Sequence, residues 1–252
     1  MSRWRVPVLM YHAVCPERSP ITISAGEFAW QMRWLTDEGY QVIALQTLLR
    51  SILGGTPPPE RSLVITFDDG MESLYTDVLP LLEGFGFPAT VFLVSGHCGG
   101  CNDWERQPGS IPLMPMLSWE QIREMDVKGV DFGAHTINHQ RLIQQSDQEV
   151  ERQILGSKEM IERKLGHEVD LFAYPYGQLD DRVKGIVRKA FIGACGTKLG
   201  FADENSDPFE IKRVDIHYFK QRYLFRELSN PVGLLYLSLR RPLRAIRTAL
   251  HP

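Results

Sequence analysis

Apolar residues fall along the chain in short dense runs rather than in strict alternation. The runs occupy residues 6–11, 41–45, 63–67, 89–94, 130–134, 171–174, 191–195 and 211–216. Rich in β-branched and aromatic side chains, they predict strands buried on both faces, because alternation disappears where neither face meets water. Amphipathic stretches separate them, at 25–38, 75–85, 119–128, 147–165 and 182–189. Ser146 or Asp147 is placed to N-cap the longest of these helices. Alternating β and α segments predict an α/β domain with a parallel sheet, either open or closed into a barrel. Residues 98–115 form a long Gly- and Pro-punctuated insertion, the kind of loop that often carries function.

Composition narrows the classes. Of 252 residues, 43% are hydrophobic and 23% charged, which excludes a disordered chain. A net charge of −3 lacks the basic surface of a nucleic-acid binder, so no nucleic-acid partner is expected. Four cysteines are too few for a disulfide framework, and the Cys98–Cys101 pair lacks the second pair of a structural zinc site. The apolar run at 6–11 is too short for a secretion signal, and no run reaches the ~18 residues of a membrane span. A cytoplasmic protein is therefore expected. At the other end, Leu239, Leu243, Ile246 and Leu250 share one helical face flanked by Arg240, Arg241, Arg244 and Arg247. This basic amphipathic tail, 226–252, reads either as a helix packed on its own domain or as a peripheral contact with the inner membrane surface. The catalytic domain is assigned to 1–225.

The chemistry-bearing residues follow the predicted strands. His12 follows the first run, Asp68 and Asp69 the run at 63–67, and His135 the run at 130–134. Tyr176 lies in the Pro-Tyr-Gly turn after 171–174, and His217 ends the last run. In barrels and open α/β sheets alike, the C-terminal strand edge is where sites are built. Asp68-Asp69-Gly70 alone is compatible with a solvated turn, but adjacent buried carboxylates are best tolerated beside a cation. His135 and His139, at i and i+4, share a face if the segment is helical, though such spacing also arises by chance. With Asp69 they make a set of two imidazoles and one carboxylate, suited to Zn²⁺ or a similar divalent ion. Asp68, one residue away, is placed to act as general base. Trp104, Trp119 and Tyr176 are candidate sugar-stacking walls, or core residues.

These segments resemble the polysaccharide deacetylase family, carbohydrate esterase family 4. Thr66–Gly70 matches its TFDDG motif and His135–His139 its H-[ST]-x-x-H motif, while 172–177 matches the third with Ala173 where many members carry arginine. The flanking text is most similar to the branch that includes biofilm poly-N-acetylglucosamine deacetylases. The resemblance implies a distorted (β/α) barrel of about seven parallel strands. It also implies metal-dependent removal of N-acetyl groups from the amino sugars of a polysaccharide or its precursor. Asp68 would be the base, Asp69, His135 and His139 the ligands of one divalent ion (Zn²⁺ by preference), and the backbone near Tyr176 an oxyanion donor. Two histidines are candidates for the general acid: His217, in the family's usual late position, and His12, which the resembled branch favours. An amide hydrolase of small-molecule or lipid-linked sugars and a carbohydrate-binding pseudoenzyme are the competing readings.

Overall fold

A computed structural model describes residues 4–240 except Ser229, Pro231 and Leu234. Seven parallel strands close a barrel. They are β1 (Val8–Tyr11), β2 (Ser62–Phe67), β3 (Thr90–Leu93), β4 (Asp131–Ala134), β5 (Leu171–Ala173), β6 (Gly193–Leu199) and β7 (Ile211–Asp215). Consecutive strands pair in order from β2 to β7, and β1 closes the ring by pairing with both β7 and β2. The seam aligns Met10 with Asp215 and Val8 with Val64.

The dense apolar runs turn out to alternate after all, between two apolar surroundings. In β2, Leu63, Ile65 and Phe67 face outward into the main core under the helices. Val64 points inward, joining Val8, Phe92, Leu171, Cys195 and Ile211 in a second, interior cluster. The helices are α1 (Ala25–Asp37), α2 (Leu45–Ile52), α3 (Leu79–Phe85), α4 (Trp119–Val127), α5 (Asp147–Leu165), α6 (Asp181–Ala190) and α7 (Arg222–Arg226). Ser146 caps α5 by accepting from the Glu149 N–H, and Gly166 ends it in the left-handed conformation.

One expected strand is mostly not a strand. Of the run at 41–45, only Gln41–Val42 pairs, at the start of β2 outside the ring, and α2 begins at Leu45. The reason is tertiary: Leu45, Leu48, Leu49 and Ile52 lie on one helical face and plug the lower end of the barrel interior. Gly193 makes room for that plug, since a Cβ there would stand 2.5 Å from a Leu49 methyl carbon.

After α7 the chain remains attached to the body: Leu228 and Leu237 are buried in the main core. Most of the expected basic face, from Arg241 onward, lies outside the described residues. Among the described residues no helix is long and apolar enough to cross a membrane.

Candidate metal centre and its cavity

The C-terminal strand edge opens into a cavity of about 520 Å3. Its lining includes His12, Asp68, Asp69, His135, His139, Tyr176 and His217, so the fold gathers every singled-out site residue around one space. Trp104 reaches it from the long insertion. Trp119 does not line it; that ring sits at the start of α4 under the Lys164 ammonium.

At the floor, Asp69, His135 and His139 are buried, and one ligand atom from each lies within 4.8 Å of the others. Asp69 Oδ1 is 3.5 Å from His135 Nε2 and 3.4 Å from His139 Nε2, and has no hydrogen-bond partner. A buried carboxylate oxygen left bare between two imidazole nitrogens is costly by itself, and suits a shared cation. His135 Nδ1 donates to the Ala173 carbonyl at 2.7 Å, which leaves Nε2 with its lone pair toward the centre. The His139 ring lies between Trp104 and Tyr176, with both centroids 4.5 Å away. Burial, then the neighbouring His135, holds its pKa well below the ordinary value, keeping the ring neutral as a ligand must be. Burial also raises Asp69, against the pull of His12 and His135.

The histidine pair is not on a helical turn, contrary to the spacing argument. Residues 135–139 are a loop after β4, with Thr136 (φ 68°) and His139 (φ 52°) in the left-handed region. The Thr136 hydroxyl accepts from the His139 N–H at 3.0 Å, and Gln153 Oε1 from α5 accepts from both Ile137 and Asn138. Asp69 (φ 73°) and Tyr176 (φ 58°) are left-handed too, so backbone strain concentrates around the centre. At Gly177 (φ 67°) a Cβ would stand 2.0 Å from the Thr197 hydroxyl oxygen, so only glycine fits the turn carrying Tyr176.

Sequence reasoning missed Arg213. Fully buried inside the barrel on β7, it clasps Asp68 with two parallel hydrogen bonds of 2.7 Å and reaches Thr66 Oγ1 and the Gly196 carbonyl. Burial alone would raise the Asp68 pKa; the Arg213 charge, helped by His135 and the Arg213 hydrogen bonds, outweighs it and holds the carboxyl below the usual range. A guanidinium is thus supplied by β7, while position 173 holds an alanine. The signal lay in the strand itself: Arg213 shares the inward face with Ile211, and exposed Lys212 takes the outward one.

His12 follows β1, half-buried, and lines the cavity together with Asp68, Asp69 and His139. His217 is more exposed on the rim, with Nδ1 3.1 Å from the Pro20 carbonyl. Burial, then the Asp69 charge, pushes the Tyr176 phenol up to about 12, so it stays protonated at neutral pH.

A family model described as polysaccharide deacetylase matches residues 55–193. The protein YxkH of Bacillus subtilis is 26% identical over 213 residues, covering 84% of this chain and 71% of the relative. The poly-beta-1,6-N-acetyl-D-glucosamine N-deacetylase of Staphylococcus aureus is 27% identical over 208 residues, covering 77% and 67%. The solved structure of IcaB from Ammonifex degensii superposes with a TM-score of 0.77 at 24% identity, over 89% of this chain and 95% of that one, a likeness of fold.

Proposed function

The chain belongs to the polysaccharide deacetylase family, and from that premise we propose that it removes N-acetyl groups from an amino-sugar polysaccharide or its precursor by metal-dependent hydrolysis. The observation that carries this reading is the Asp69, His135 and His139 cluster, with Asp69 Oδ1 lacking a hydrogen-bond partner, open to a large cavity beside an ionised Asp68. Two imidazoles and a carboxylate favour Zn²⁺ among divalent ions, with positions left for water and substrate. Such an ion supplies Lewis acidity, polarising an amide carbonyl and lowering the pKa of water.

The protein's own groups do the rest. Asp68 takes the proton of the attacking water; Arg213 keeps its carboxylate ionised and aimed. The Tyr176 backbone N–H steadies the oxyanion. Departure of the amine needs a proton donor, and His12 is favoured over His217 because it lines the same cavity and is less exposed. The substrate named for the S. aureus relative makes β-1,6-linked N-acetylglucosamine oligomers the first probe. Wild-type protein is expected to release acetate from them, and Asp68→Asn to retain its metal while kcat falls by ~10²–10⁴. Near wild-type turnover by Asp68→Asn would remove Asp68 from the mechanism. Acetate released only from small or lipid-linked amino sugars would move the substrate off the polymer.

A further inference from the structure

The cavity does not end at His139. A second hollow of about 140 Å3 adjoins it and shares His139, Arg141 and Tyr176 with it. The rest of its wall is polar: Glu105, Arg106, Gln140, Gln144 and Gln145. Gln140 lines the hollow, and its Oε1 is buried without a hydrogen-bond partner, a costly arrangement unless a ligand donates to it. Next to it in sequence, the Arg141 guanidinium stacks 4.7 Å above the centre of the Tyr176 ring and makes no ion pair among the described residues.

A bare carbonyl acceptor and an uncommitted planar donor together complement a secondary amide, whose N–H donates and whose C=O accepts. A hydroxyl can satisfy either group. An ammonium satisfies Gln140 but meets the like charges of Arg141 and Arg106, and the one carboxylate of the wall, Glu105, already pairs with Arg106 at 3.6 Å. We propose that this hollow holds the sugar next to the one being deacetylated and reads its N-acetyl amide, with Gln140 and Arg141 as specificity-determining residues. The inference rests on the deacetylase reading above and deepens it. Its consequence is that a neighbour already stripped of its acetyl group binds poorly, so polymer products carry amines separated by acetylated units.

Calorimetric titration tests this without turnover, in the Asp68→Asn background. The probes are the β-1,6-linked N-acetylglucosamine trimer and its fully de-N-acetylated counterpart. The acetylated trimer is expected to bind at least about tenfold tighter, and adding Gln140→Ala or Arg141→Ala should pull that ratio toward one. Mass-spectrometric sequencing of products made with Asp68 intact should then find adjacent amines rare with Gln140 and Arg141 in place and more frequent in either variant. A ratio unchanged by both substitutions, or equal losses for both ligands, overturns the proposal. Discrimination that depends on Gln140 and Arg141 in a protein that never releases acetate would sink the catalytic reading and leave the amide-reading hollow standing.

Discussion

Asp68 and Asp69 are chain neighbours with opposite electrostatic surroundings. Asp69 is buried against imidazoles with one oxygen bare, while Asp68 is locked to Arg213. The Asp68 carboxyl titrates lower in the folded state than its unfolded value near ~3.9, so the pair favours folding above that pH. That contribution is lost as the pH falls through the folded-state value. Arg213→Gln leaves a buried carboxylate unpaired, which should destabilise the protein by about 3–5 kcal/mol at neutral pH in urea unfolding. It should also move the acid limb of the kcat profile to higher pH, because burial then acts on Asp68 with its main opposing charge removed. An unshifted acid limb would mean that Asp68 does not set it. The tension between the two carboxylates was legible in Asp68-Asp69-Gly70 itself. The pairing with Arg213 was not, because that residue lies 145 positions away and meets Asp68 only once the strands are in register.

At the scale of elements, the residues that cluster at the cavity floor were readable and their scaffold was not. The H-x3-H spacing suggests a helix, yet the histidines converge through a strained loop held from behind by α5. Gln153 is the hinge of that support: buried, it accepts two loop N–H groups through Oε1 and donates to Glu149 through Nε2. Gln153→Leu keeps the volume and removes both acceptor contacts, so metal affinity is expected to fall ~10–100-fold while the far-ultraviolet circular dichroism stays native. Competition with a chelating dye measures this, and unchanged affinity would show that the loop holds its shape alone. The α2 plug was hidden for a similar reason. Periodicity over the five residues 41–45 cannot separate a buried strand from the approach to a buried helix, and only the barrel interior decides.

For the whole molecule, closure is what makes the first and last strands neighbours. Met10 opposite Asp215 brings the ends of β1 and β7 together, and with them His12 and His217. Alternating segments and residues at strand ends were enough to anticipate a C-terminal-edge site, while the order of strands around the ring required the structure. His12→Ala is expected to cut kcat sharply with metal content unchanged, and His217→Ala to do much less; the reverse order would assign the acid to the late histidine. The proposed hydrolysis depends on one divalent ion at Asp69, His135 and His139. The most direct measurement is metal content by mass spectrometry alongside acetate release on the same preparations of wild type and of His135→Ala/His139→Ala. Wild type should carry one ion per chain and lose activity with chelator, and the double variant should carry none and be inactive. Full occupancy with undiminished acetate release in the double variant would contradict the account.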